Sequence, residues 1–135
     1  MIALVDTNVV LDVLLKREPY FPASASVMAD IERGLCQGAL CATTVTTIHY
    51  LAERTLGAVK SRRKIADLLT IFDIAAVNRA VLEKSLVSKF DHYEDAVLHE
   101  AALIAGLDCI ITRNTKDFGK AQIPVFTPSQ FLEQL

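Results

Sequence analysis

The sequence predicts an α/β fold, a three-layer α/β/α sandwich around a central parallel sheet of about five strands. Three observations predict it. Short apolar runs alternate with segments whose apolar residues recur at helical spacing. The helical segments are punctuated by Gly, Pro and capping residues at their ends. The chain has 135 residues, of which 52% are hydrophobic and 22% charged, enough apolar material for the core of a single domain over 1–135.

Ile2 to Val5 is an apolar run that ends in Asp6 and predicts a buried strand. From Asn8 to Leu15, Val9, Val10, Val13 and Leu14 fall at helical spacing, and Lys16-Arg17-Glu18-Pro19 ends that helix. Pro22 suits a first helical turn, and Ala23 to Glu32 continues as a helix stopped by Gly34. Leu40 to Thr43 predicts the second strand. Thr44 to Leu56 predicts a helix with Val45, Ile48, Ala52 and Leu56 on one stripe and Gly57 at its end. Lys60 to Thr70 is a further helix, basic at its start, and Ile71 to Val77 is β-branched and predicts the third strand. Asn78 caps a helix that runs to about Ser88. Asp91 and Glu94 have the spacing of a capping box for a helix that stops at Gly106. Cys109 to Thr112 is the fourth strand and Val125-Phe126 a short fifth. Thr127-Pro128 starts the last helix.

Composition excludes several classes. No run approaches ~18 uninterrupted apolar residues, so no membrane span is expected. Asp6 arrives too soon for the apolar region of a signal peptide, which predicts a cytoplasmic protein. Cys36, Cys41 and Cys109 form no Cys-x-x-Cys pair and are expected as buried, reduced thiols. The net charge of −2 means that any nucleic-acid contact must come from a local basic patch or a bound cation.

In open parallel sheets, ligands bind beyond the carboxyl ends of the strands. Asp6 follows strand one directly, and Asp117 follows strand four by a few residues. Asp95 lies in the first turn of the helix leading into strand four. Taken singly, these are a loop acid, a helix-start acid favoured by the dipole, and a turn residue. Taken together they predict three carboxylates near one point, whose repulsion a hard divalent cation would relieve. Such a cation polarises a phosphate and lowers the pKa of an attacking water, so the expected chemistry is phosphodiester hydrolysis.

Three blocks carry a resemblance: Val5-Asp6-Thr7-Asn8-Val9-Val10-Leu11-Asp12, Tyr93-Glu94-Asp95-Ala96, and Ile111-Thr112-Arg113-Asn114-Thr115-Lys116-Asp117-Phe118. In this order and at these separations they resemble the signature blocks of PIN domains, many of which are VapC-type toxins of toxin–antitoxin pairs. The resemblance extends to the closing Phe126-Thr127-Pro128 segment. It implies a parallel sandwich and cleavage of single-stranded RNA with Mg²⁺ or Mn²⁺. It further implies an antitoxin protein as partner and a homodimer, the latter also expected from the apolar surplus of the two early helices. Asp6, Asp95 and Asp117 match the family's metal-site acids. Thr7, Asn8, Thr112 and Asn114 match the polar residues that line that site and orient acids or metal-bound water.

The sequence departs from the family at one place. A further acid is usual in a Thr-x-x-Glu context on the helix after strand two, and here Thr47 holds that position. Glu53 is the nearest acid on that helix but points ~120° away. The rival expectation is therefore a PIN-like module that binds RNA or a protein without turnover, or turns over weakly. Arg113 is a candidate phosphate contact because a guanidinium takes two phosphate oxygens. Lys60, Arg62, Arg63 and Lys64 form the densest basic cluster and are either a phosphate contact or a solvated helix face. His99, one turn after Asp95, is expected as a partly exposed surface residue, and His49 and His92 carry no role. Three other phosphate-handling or nucleotide-binding folds are excluded. Asn8 stands where an aspartate-based phosphatase needs its second acid. A receiver domain would need an acceptor Asp after strand three and a Lys after strand five. Asp6-Thr7-Asn8 is not a glycine-rich dinucleotide turn.

Overall fold

The computed structural model describes residues 1–135. Its strands are β1 (Ile2–Val5), β2 (Gln37–Cys41), β3 (Asp73–Ala75), β4 (Cys109–Ile111) and β5 (Val125–Phe126). Its helices are α1 (Thr7–Leu14), α2 (Phe21–Glu32), α3 (Ala42–Leu56), α4 (Ala58–Ile71), α5 (Arg79–Leu86), α6 (Tyr93–Ile104) and α7 (Pro128–Gln134). A 3₁₀ turn spans Thr115–Phe118.

The five strands form one sheet in the order β3-β2-β1-β4-β5, and every pairing is parallel. Strand alternation splits the core in two. Ala3, Val5, Leu40, Cys109 and Ile111 face α1, α2, α3, α4 and α7. Leu4, Ala39, Cys41, Ala75 and Ile110 face α5, α6 and the 3₁₀ turn. The expected three layers are thus present. The chain builds β2 and β3 on one side of β1, then crosses to place β4 on the other. The switch point between β1 and β4 is where such sheets bind ligands, and Val5 pairs with Ile111 there, so the next residues, Asp6 and Thr112, emerge side by side.

Several boundaries move. β2 begins at Gln37, before the expected Leu40, because Gly38 lets the strand pass close under α2: a Cβ there would sit 2.8 Å from Ile31 Cδ1 and from Phe72 Cε1. β3 is limited to Asp73–Ala75 because α4 continues through Ile71. Gly57, at φ 82°, ends α3 and starts α4. The Asp91–Glu94 capping box does not form; His92 is the N-cap of α6, without a side-chain cap, which puts Asp95 at the third helical position. Thr127 does form a capping box, with Gln130. All three cysteines are buried and free. No helix is long and apolar enough to cross a membrane.

The apolar surplus of the early helices is covered within the chain. Val9, Val10 and Leu11 of α1 and Val27, Met28 and Ile31 of α2 are buried, with α1 packed on α3 and α2 on α7. That surplus therefore carries no argument for self-association. Exposed apolar side chains are scattered over other elements, among them Leu35, Val59 and Leu69, Leu86 and Val87, and Ile104.

Candidate functional site

Asp6 is both the residue after β1 and the N-cap of α1. Its Oδ1 accepts the Thr7 backbone N–H at 2.7 Å, and its Oδ2 accepts the Thr112 hydroxyl at 2.7 Å and Asn8 Nδ2 at 3.3 Å. Thr112 Oγ1 in turn accepts the Asn114 N–H at 3.1 Å, and Asn8 Oδ1 accepts the Arg113 N–H at 3.3 Å. Thr7 donates to Thr44 at 3.2 Å, joining the start of α1 to α3. The polar residues expected around the acids, Thr7, Asn8, Thr112 and Asn114, therefore form one network that fixes the Asp6 carboxylate.

Asp6, Asp95, Asn8, Asn114, Thr44 and Thr47 line a common cavity of about 630 Å³ at the carboxyl ends of β1 and β4. Burial pushes the Asp6 carboxyl above its ordinary value, more than the Thr112 and Thr7 hydrogen bonds pull it down, and Asp117 adds to the rise. Burial, and then the charges of Asp6 and Asp117, push Asp95 up to about 6. Asp6 and Asp95 thus share one cavity, and the charges of both Asp6 and Asp117 reach Asp95. Asp117, on the exposed 3₁₀ turn, is outside the cavity wall. No three His, Cys, Asp or Glu side chains are drawn together into a ready-made metal cluster. By chemistry the set fits a hard cation: the nearby donors are oxygens, and the mutual repulsion is what a divalent ion would relieve.

Thr47 lines this cavity and Glu53 does not; Glu53 is exposed and faces His49 at 3.8 Å. Thr47 turns its hydroxyl back to the Thr43 carbonyl at 3.1 Å.

Sequence reasoning missed Asp12. This acid is fully buried and holds two arginines: Arg17 Nε at 2.9 Å from Oδ1, and Arg113 with Nε 2.8 Å from Oδ2 and Nη2 3.2 Å from Oδ1. The Arg113 guanidinium also lies 3.9 Å over the Tyr20 ring. Arg113, expected as a phosphate contact, therefore has its Nε–Nη2 edge occupied by Asp12, and its visible task is to hold the Thr112–Asn114 segment against α1. The signal available was an acid inside the apolar Val9–Leu14 helix with an arginine five residues on.

One further expectation is corrected. His99 is buried, not a surface residue: Phe90 packs on its ring at 4.8 Å, and Nε2 accepts the Gln122 N–H at 3.0 Å. Burial lowers its pKa, with Glu100 opposing. The basic cluster on α4 stays outside the acid cavity; Arg62 lines a separate groove with Val45, His49 and Ile65.

A family model for the PIN domain matches residues 3–116. Among curated proteins no sequence matches. Solved structures do. A toxin–antitoxin complex from Klebsiella pneumoniae contains a chain 27% identical, with a TM-score of 0.69, covering 93% of this chain and 97% of that one. FitAcB from Neisseria gonorrhoeae is 22% identical with a TM-score of 0.68, covering 96% and 99%. VapC20 of Mycobacterium tuberculosis, a sarcin-ricin loop cleaving toxin, is 14% identical with a TM-score of 0.65, covering 80% and 86%.

Proposed function

Given that the chain belongs to the PIN-domain family, we propose that it is a Mg²⁺- or Mn²⁺-dependent endoribonuclease acting on single-stranded RNA. The observation that carries this reading is the cavity at the sheet's switch point, which Asp6 and Asp95 line together beside Asn8 and Asn114, with Asp117 on the adjoining 3₁₀ turn. In this reading Asp6, Asp95 and Asp117 hold the cation, and Asn114 and Thr112 keep Asp6 and the substrate-facing loop in register. When bound, the cation offsets phosphate charge and lowers the pKa of a water. In the hydrolysis, water oxygen bonds to phosphorus as the bond to the leaving ribose oxygen breaks. That oxygen gains a proton, and the proton lost by the water passes to solvent. The hydrogen bonds from Thr7, Asn8 and Thr112 hold Asp6 in one orientation, so little reorganisation is needed as the substrate enters.

The toxin–antitoxin relative at 27% identity supports an antitoxin protein as partner, and three free thiols suit a reducing cytoplasm. A homodimer completes this reading. The second reading, an RNA- or protein-binding module without turnover, is favoured by one observation, Thr47 at the cavity wall in the place of an acid.

The test is cleavage of a labelled single-stranded oligoribonucleotide, resolved on a denaturing gel, with Mg²⁺ or Mn²⁺ and with chelator. We expect metal-dependent cleavage that falls by ~10²-fold or more in Asp6→Asn and Asp95→Asn, the scale of losing transition-state electrostatics. Wild-type protein that binds the RNA but leaves it intact in either metal would move the conclusion to the binding module.

A further inference from the structure

A second cavity, of about 500 Å³, lies along α6 beyond the acids. Three lysines line it, Lys84 at the end of α5, Lys89 in the α5–α6 connection and Lys120 after the 3₁₀ turn, together with one carboxylate, Glu100. None of these lysines is in an ion pair. Lys120 Nζ donates to the Lys89 carbonyl at 2.9 Å, which ties the two loops across the opening. Glu100 instead lies against His99, Oε1 to Nδ1 at 3.6 Å. The cavity therefore holds an excess of positive charge in a protein whose overall charge is −2.

The inner wall is well ordered by its own contacts. Because His99 Nε2 accepts the Gln122 N–H, the ring proton is on Nδ1, and this buried donor has no acceptor at hydrogen-bond distance. Phe90 links this wall to the acid site, packing on His99 and edge-on to Phe118 at 5.8 Å, next to Asp117. On α6, Asp95 and His99 are one turn apart, about 6 Å along the axis. α6 thus borders both cavities, with Asp95 on the acid cavity and His99 and Glu100 on the lysine cavity. At the acid cavity itself, the two arginines are committed to Asp12, whereas the three lysines of this second cavity have no carboxylate partner.

We propose that the Lys84–Lys89–Lys120 cavity binds a backbone phosphate of the RNA strand, displaced along the chain from the bond that is cut. The proposal rests on the ribonuclease reading and names a subsite for its substrate. Ammonium groups act here as point charges on phosphate, and each phosphate neutralised on a single strand steepens the salt dependence by ~0.7.

The experiment measures binding of a fluorescently labelled single-stranded oligoribonucleotide by anisotropy, in chelator so that nothing is cut, across a range of salt. The variants are Lys84→Ala/Lys89→Ala/Lys120→Ala and, as a charge-matched control on α4, Lys60→Ala/Arg63→Ala/Lys64→Ala. All six side chains are exposed, so circular dichroism should confirm folding in both. The expected result is a loss of ~10-fold or more in the first variant with a slope shallower by ~0.7, and a smaller loss with little slope change in the control. Equal losses in the two variants would mean unspecific charge attraction and would overturn the subsite. So would unchanged affinity in the first variant. In either case wild-type cleavage in Mg²⁺ still reports on the ribonuclease reading by itself. Inorganic phosphate serves as a separate probe: if the first variant loses its binding but keeps full RNA affinity, the cavity takes free phosphate, and the proposal falls.

Discussion

Asp95→Asn should make the metal-free protein more stable while removing its response to metal. Asp95 is pushed from 3.8 to about 6 by burial and by Asp6 and Asp117. A raised carboxylate favours its protonated form in the fold. Its contribution to stability is complete below the ordinary value near 3.8 and is lost as the pH rises through about 6. At neutral pH the ionised side chain therefore weakens the fold. One pKa unit is 1.36 kcal/mol, so the shift corresponds to at most ~3 kcal/mol, and partial exposure reduces this to ~1–2 kcal/mol. Asparagine keeps the shape and removes the charge, which should raise the melting temperature in chelator at pH 7.5 by ~3–8 °C. Saturating Mn²⁺ should reverse the order: a ligand at 100 times its Kd stabilises by ~2.7 kcal/mol, and the variant forgoes most of that. Differential scanning calorimetry with and without metal reads both effects. A variant that melts below wild type in chelator, or gains as much as wild type from Mn²⁺, would refute the shared-charge reasoning.

Other substitutions test the neighbouring parts. Thr47→Glu should tighten Mn²⁺ binding in a calorimetric titration and raise any RNA cleavage, since it adds a carboxylate to the cavity wall, whereas Glu53→Gln should change little; the reverse pattern would make Glu53 the fourth ligand. Asp12→Asn leaves the partly exposed Arg17 and Arg113 without their counter-charge and should destabilise by ~1–3 kcal/mol in urea unfolding, with a midpoint equal to wild type counting against the role of buried Asp12. His99 is held neutral by burial, so stability present above its ordinary pKa of 6.5 should be lost as the pH falls below that value, and His99→Phe should flatten this part of the pH–stability curve.

What could be seen in the sequence was local. β1 was legible because an apolar run stops at Asp6, and the acid cavity was legible in part because Asp6 follows β1 and Asp95 opens α6. The role of Asp12 was not, because its partner Arg113 lies 101 residues away and helical spacing says nothing about it. The burial of His99 depends on Phe90 from one loop and Gln122 from another, neither predictable from the α6 stripe. The capping box failed because its motif does not specify which residue leaves the helix, and a shift of one residue makes His92 the cap.

The central position of β1 also governs when the acid site comes into existence. β1 is made before the other four strands of the sheet, yet its second edge stays open until Cys109–Ile111 has been made, because β4 is its partner there. Thr112, which holds Asp6, and Asp117, which completes the trio, follow immediately afterwards. A nascent chain ending before β4 carries Asp6 and Asp95 on a sheet that is still missing the strand between them and Asp117. Assembly of the acids is thus deferred until the segment after β4 has been made, and a message that stalls before that point yields a polypeptide without the cluster.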